Sequence, residues 1–298
     1  MHQSPLLFNN SHYLCGALVK FFTRPCFCIV TLLYTMILGH AICSVAVLPL
    51  RVEPSHKVEQ CSQLLFGERM EVWSKDKNGW LFVRSDWDNT EGYVQEGQVT
   101  HIPLKEYRKP LLFLSTGLQS MLLFEQGQQL LSPGSSLFRM KKHVMAWHDN
   151  TALYKGKKIA LKQIDHQLDT VQQLCYMFCG SPYLWGGRSV WGIDASGFVQ
   201  LVYKLLDIRL PRYAAEQSTC GETVDFLQAA QCGDLAFFDN EEGTIHHVGI
   251  LLNSNTIIHA TDTTGTVNID PIDNGGIVSK KLRMRTYKLR LVKRILKR

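Results

Sequence analysis

The sequence predicts an α+β protein preceded by one or two small antiparallel β-barrels. Two observations carry this. From Leu48 to Thr100, short runs of alternating apolar residues are separated by Gly and Asn turns, the pattern of half-buried strands. From Pro182 to Ile208, a Gly-rich turn runs into an amphipathic helix, with Phe198, Leu201, Val202 and Leu205 at helical spacing. Beyond that helix, the runs Asp234 to Phe238, His247 to Leu252, Thr256 to His259 and Val267 to Ile269 read as strands of one antiparallel sheet.

The elements follow in chain order. Lys20 and Arg24 precede an apolar run from Phe27 through Leu38, and Ser44 and Ala46 fit a small-residue cleavage pattern. Residues 1–46 are therefore expected to be a signal peptide or leader, with cleavage after Ala46. The stretch from Phe27 to Leu50 has about the length of a membrane span, so proximity to a membrane through the leader is a second expectation. Export to the periplasm or cell envelope follows from either. Residues 47–100 are expected to form the first barrel. Residues 101–161 are also strand-like and are expected to form a second barrel. Residues 162–298 are expected to form the α+β domain, with a helix from Leu168 to Phe178 behind the one that starts near residue 195.

Composition narrows the function classes. A chain of 298 residues has room for about two domains. Its 45% hydrophobic content argues against disorder. The net charge of +6 is modest and concentrated in the C-terminal run from Lys280 to Arg298. Apolar and basic residues alternate there from Tyr287, the mark of a closing strand with a solvated basic face; attraction to anionic wall polymers or lipid headgroups is the sharper reading. No nucleic-acid-binding motif accompanies the charge. The nine cysteines form no finger-like pairs, so neither a disulfide framework nor a metal site is expected. Cys175 and Cys179 are expected to share a helix face as buried structural thiols. No cofactor is implied, and the oligomeric state is not legible.

The stretch Gly192 to Phe198, GIDASGF, is the most informative. A helix start offers free N–H groups and the positive end of a dipole. A cysteine there would be a thiolate of lowered pKa. Position 195 is alanine. In its longer context, PYLWGGRSVWGIDASGF resembles the nucleophile motif of the NlpC family of papain-like cell-wall peptidases, PYxWGGxxxxGxDCSGF, in every fixed letter except the nucleophile. LPRYAAEQS, CGDLAFF, HHVGILL and NTIIHAT resemble the family's later motifs, in the right order. The first barrel resembles the bacterial SH3-like domains that precede such domains. GQQLLSPGSSLF resembles the second barrel of a subgroup that cuts wall-derived peptides after γ-D-glutamate.

The resemblance implies a papain-like fold and a set of roles. Amide hydrolysis needs an activated nucleophile and a place for the developing oxyanion. Ala195 occupies the nucleophile's position and keeps its backbone N–H. His247 matches the base, and His259 the residue that orients it. Tyr183 matches the tyrosine near the oxyanion. Trp185 and Ser196 match positions lining the substrate groove. The plainer readings are a core histidine for His259, core aromatics for Tyr183 and Trp185, and a helix cap for Ser196. His246 is expected to face solvent. Tyr213 stands where the subgroup's PRD motif has an aspartate that holds the substrate's free amine. Losing that carboxylate typically costs on the order of 2–5 kcal/mol.

Three functions remain open. One is a γ-D-glutamyl-diamino acid peptidase whose cysteine has been replaced, inactive as written. Another is a natural pseudoenzyme that binds peptidoglycan-derived peptides or a protein partner. The third is a papain-like fold turned to an interaction role. Replacing the nucleophile alone would suffice to trap a substrate, and Tyr213 serves no such purpose, so the pair of changes points to natural divergence.

Overall fold

The computed structural model describes residues 36–147, 150–164 and 166–296. Seven strands form the first antiparallel sheet: β1 Gly39–Cys43, β2 Val47–Arg51, β3 Gln60–Leu65, β4 Arg69–Lys75, β5 Trp80–Ser85, β6 Glu91–Gln95 and β7 Val99–Ile102. Their spatial order is β3-β2-β6-β5-β4-β1-β7. Inward positions carry Leu48, Leu50, Leu64, Met70, Leu81, Val83 and Val94, all buried. Period-2 alternation puts them on one face, and that face closes on itself as a barrel core.

The barrel starts earlier than the sequence suggested. Cleavage after Ala46 would remove β1, whose residues pair with both β4 and β7. Ala41 and Cys43 are fully buried in the barrel core. What reads as the end of an apolar leader is thus an interior strand, and Cys43 belongs to the barrel. The remainder of the expected leader, residues 1–35, lies outside the described residues. No helix among the described residues is long and apolar enough to cross a membrane.

A short helix, α1 Leu104–Tyr107, leads into eight small strands: β8 Phe113–Ser115, β9 Ser120–Phe124, β10 Gly127–Leu131, β11 Ser136–Leu137, β12 Met140–Lys141, β13 Val144–Trp147, β14 Asn150–Lys155 and β15 Lys158–Ala160. They make a five-stranded sheet, β10-β9-β14-β13-β12, and a three-stranded one, β11-β8-β15. Leu122, Leu131, Leu137, Met145 and Tyr154 fill the space between, joined by Phe66 from the first barrel.

The third region holds helices α2 Leu168–Tyr176, α3 Ala195–Leu205 and α4 Ala214–Gln217, a hairpin of β16 Arg188–Ser189 and β17 Gly192–Ile193, and strands β18 Glu222–Val224, β19 Leu235–Asp239, β20 Ile245–Asn253, β21 Thr256–Thr261, β22 Thr266–Asp273, β23 Gly276–Ser279 and β24 Met284–Arg294. The sheet order is β18-β24-β19-β20-β21-β22-β23, with β23 also pairing β24. Helix α3 lies against β20 and β21 and is buried along its whole length. Phe198, Val202 and Leu205 pack there with Phe237, Val248 and Ile258 in the main core. Burying a side chain of this size contributes about 1.5–3 kcal/mol each, so α3 is held by packing rather than by propensity.

Helix α2 stops at Tyr176, two residues short of expectation. Cys175 is buried on it, whereas Cys179 lies past its end and is exposed. The two thiols therefore do not share a helix face. Strand β24 carries the expected basic face: Lys288 and Arg290 are exposed, and Tyr287 and Val292 are buried.

Three buried ionic contacts tie the first barrel to α3 and its neighbours. Glu68, from the β3–β4 turn, accepts two hydrogen bonds from Arg188, each 3.0 Å, and one from Lys204 on α3. All three side chains are at most 2% exposed. Burial pushes the Glu68 carboxyl up, but the Arg188 and Lys204 charges outweigh it and hold it at about 2.

Candidate active site

The turn before α3 is built by its backbone. Ile193 N donates to Pro182 O (3.0 Å), and Leu184 N returns to Ile193 O (3.2 Å). Asp194 is the N-cap of α3, with its side chain accepting from Gly197 N at 2.7 Å. Gly197 has to be glycine: a Cβ there would lie 2.2 Å from Gly187 O. The other Asp194 oxygen accepts from Gly186 N at 2.9 Å.

Arg212 completes this end. It is 1% exposed and donates to both Asp194 oxygens, at 3.1 and 2.5 Å. It also reaches Ser196 Oγ (2.9 Å) and, in the first barrel, Ser62 Oγ (3.0 Å). The Ser196 hydroxyl is thus committed to Arg212 and Asp194, and the residue is 9% exposed. The structure places it inside the cap rather than as a free group on a groove wall. Ala195, between Asp194 and Ser196, is 8% exposed, and its N–H lies in the first turn, where no intrahelical acceptor exists.

His247 lies on β20 opposite Phe238 of β19. It is 4% exposed. Its Nε2 is 2.9 Å from His259 Nδ1 on β21, and His259 Nε2 is 3.2 Å from Asp270 Oδ2 on β22. Gly249 allows this approach, because a Cβ there would meet the His259 Cβ at 2.9 Å. Asp270 is buried too, and Lys280 N donates to its other oxygen at 2.8 Å. Burial, then the neighbouring His259 and His246, push His247 well below the usual histidine range, so the ring is neutral near pH 7. Asp270 is held below its ordinary value, since the His259 and Lys280 N hydrogen bonds outweigh its burial. Its charge favours a proton on His259 Nε2, leaving Nδ1 to accept from His247 Nε2. That tautomer leaves His247 Nδ1 as a lone pair, the arrangement of a general base.

The sequence reading brings His247 and His259 together correctly in space. It misses Asp270 and Tyr287. Tyr287 on β24 stacks on His247, with centroids 3.8 Å apart and planes at 8°. Its hydroxyl donates to Asp262 Oδ1 at 2.8 Å. No local motif marks either residue; only the strand pairing brings them to the histidines. His246 is exposed, as alternation implies.

The other candidates sit around the N-terminus of α3. Tyr183 is half-buried and its N–H donates to Gly265 O at 2.8 Å. Burial and the Asp194 charge raise its phenol, so it stays a hydroxyl donor. Trp185 is 62% exposed, and its indole N–H donates to Glu59 of the first barrel, whose Gln60 Nε2 donates to Trp185 O at 3.2 Å. Tyr213 is 44% exposed, with its ring 5.8 Å from the Arg212 guanidinium carbon. No cluster of metal-ligating residues occurs among the described residues.

Comparison with known proteins identifies the family. Residues 180–286 match the NlpC/P60 family, and residues 50–99 match the bacterial dipeptidyl-peptidase SH3 domain. A gamma-D-glutamyl-L-lysine dipeptidyl-peptidase of Bacillus subtilis is 40% identical over 226 residues, 70% of this chain and 74% of that protein. A protein of the same name from Bacillus cereus is 37% identical over 113 residues, 37% of this chain; the match spans only 34% of that relative's length. Among solved structures, an NlpC/P60 family protein from Bacillus cereus superposes with a TM-score of 0.72 at 20% identity, covering 87% of this chain and all of that one. The chain belongs to the NlpC/P60 family of peptidoglycan hydrolases, with an SH3-like domain ahead of its NlpC/P60 domain.

Proposed function

We propose that the chain as written binds a short γ-D-glutamyl-diamino acid peptide of the wall beside the N-terminus of α3 and does not cleave it. Ala195 carries no nucleophilic atom. Loss of a triad nucleophile costs about six orders of magnitude in turnover in the protease where it was measured. Ground-state contacts require no bond making and survive that loss.

The observation that carries the reading is that two buried polar arrays remain whole, one at the start of α3 beside Ala195 and one across β20, β21 and β22. His247, His259 and Asp270 form one connected array, and Asp194, Arg212 and Ser196 form another. Burying such groups is costly unless every partner is present, and a purely structural site could use apolar residues instead. The names of the Bacillus relatives specify a γ-D-glutamyl-L-lysine bond, so L-lysine is the expected diamino acid. The contacts of Glu59 and Gln60 with Trp185 put the first barrel against the site and favour short released peptides over polymer. Tyr213 offers no carboxylate to an ammonium group, so affinity no better than roughly micromolar, about −8 kcal/mol, is expected.

A second reading rests on the same array: with cysteine at 195 the site would be a working peptidase. Titrating the chain with L-Ala-γ-D-Glu-L-Lys while following the His247 and His259 ring protons by NMR tests the first reading. Saturable shifts of both rings, with the peptide recovered intact, are expected. Unmoved rings at millimolar peptide would contradict it.

A further inference from the structure

Tyr287 is tied down more firmly than packing requires. It is buried on β24. Its hydroxyl donates to Asp262 Oδ1 at 2.8 Å and lies 2.8 Å from Thr261 Oγ1 and 3.1 Å from Thr263 Oγ1. A phenol hydroxyl has one proton to give and two lone pairs to offer. With the proton given to Asp262, both threonine hydroxyls donate to it and its capacity is filled. Burial raises the phenol's pKa, so that proton stays. All three partners stand at the end of β21, the strand that also carries His259. The backbone is held closely as well. Gly276 on β23, at φ +119°, has no room for a side chain, because a Cβ would lie 1.8 Å from Tyr287 O. A phenylalanine would fill the same apolar space without any of the hydroxyl's bonds.

The ring held in this way lies flat on His247, with centroids 3.8 Å apart and planes at 8°. The hydrogen bond to His259 Nδ1 fixes His247 Nε2. That bond alone constrains the ring's rotation weakly. The second side-chain torsion of histidine is broad, and Nε2 lies nearer its Cβ–Cγ axis than Nδ1 does. Turning the imidazole therefore moves Nδ1, the lone-pair atom, more than it moves Nε2. A parallel ring in contact opposes the turn, since one edge of the imidazole would have to enter Tyr287. The other aromatic neighbours do not lie flat on His247: Phe238 is 5.6 Å away and tilted by 50°, and His259 stands edge-on at 86°.

We propose that Tyr287 is a positioning residue for His247. Anchored by Thr261, Asp262 and Thr263, its ring holds the imidazole in the plane that pairs Nε2 with His259 and keeps Nδ1 available as a base. The inference rests on the histidine array and needs no bound peptide, so it can fail while the peptide reading stands, and the reverse.

Two measurements on the full chain test this. Nitrogen NMR of the imidazole rings at pH 7 reads the His247 tautomer. Iodoacetamide alkylation of the thiol introduced by Ala195→Cys reads what Nδ1 does to a neighbour. The parent should show one His247 tautomer, protonated at Nε2. Tyr287→Leu removes the flat face. It should give mixed tautomers, alkylation about tenfold slower at pH 7, and a thiol midpoint moved up towards the ordinary range. Tyr287→Phe keeps the ring without its anchors and should fall between the two. Val292→Ala, at a buried position on the same strand, should lower the melting temperature and change neither reading. Mixed tautomers in the parent, or a Tyr287→Leu protein with the parent's tautomer and pH profile, would overturn the proposal. So would Val292→Ala reproducing the Tyr287→Leu changes, since the role would then be strand stability. Should Tyr287→Leu not fold, Tyr287→Phe decides, and readings equal to the parent's would overturn the proposal.

Discussion

Glu68→Gln should separate the electrostatic cost of this fold from its hydrophobic core. The Glu68 carboxylate sits between Arg188 and Lys204 with all three side chains buried. Its pKa is displaced from 4.5 to about 2. At about 1.36 kcal/mol per pH unit, that displacement is worth about 3 kcal/mol. The pKa is lowered in the folded state, so the contribution is complete above pH 4.5 and is lost as pH falls towards 2. Glutamine keeps the shape and removes the charge, leaving two buried cations uncompensated at a cost of about 3–5 kcal/mol near neutral pH. Denaturant unfolding of both proteins across this pH range reads the effect. The stability gap should shrink by about 3 kcal/mol between pH 5 and pH 2, because other carboxylates titrate alike in both. A gap that does not change with pH, or a Gln variant as stable as the parent at pH 7, would refute the reasoning.

Four further outcomes are expected. Ala195→Cys should create a thiol that iodoacetamide alkylates faster than Cys175 or Cys179, both of whose thiols are pushed up by burial; equal rates would mean that the helix start and His247 do not activate position 195. In that background Asp270→Asn should slow alkylation and shift its pH profile, because the His259 tautomer is no longer held; an unchanged profile would remove Asp270 from the array. His247 titrates lower when folded than when unfolded, so its share of stability is lost as pH falls below about 6.5; His247→Gln should flatten that part of the stability curve, and an unaltered slope would contradict the neutral buried ring. A chain beginning at Val47 should not fold, since it lacks β1 with its buried Ala41 and Cys43; a cooperative melt near the parent's would show that β1 is dispensable.

Much of the molecule is legible in the sequence, and the exceptions have physical causes. The start of α3 is readable because the Gly-rich turn and the apolar spacing after it are local, although the residue that caps it is Asp194 and not Ser196. The first barrel is readable from alternation, yet its first strand is hidden, because GHAIC continues an apolar run that resembles a leader. His247 and His259 are readable as motif letters. Asp270 and Tyr287 are not, since they reach the histidines only through the β21–β22 pairing and the return of β24 beside β19. Ser196 shows the opposite case. Its position suggests a groove wall, but Arg212 arrives from sixteen residues away and takes its hydroxyl. The Glu68 cluster spans more than a hundred residues of sequence, and no local pattern announces it.

Calorimetric titration of the chain with L-Ala-γ-D-Glu-L-Lys, with the peptide analysed afterwards, tests the central claim most directly. One-site binding in the micromolar to millimolar range, weakened by His247→Ala and Tyr183→Phe and leaving the peptide intact, is the result this account expects. Cleavage at an enzymatic rate, absence of heat at millimolar peptide, or binding indifferent to both substitutions would contradict it.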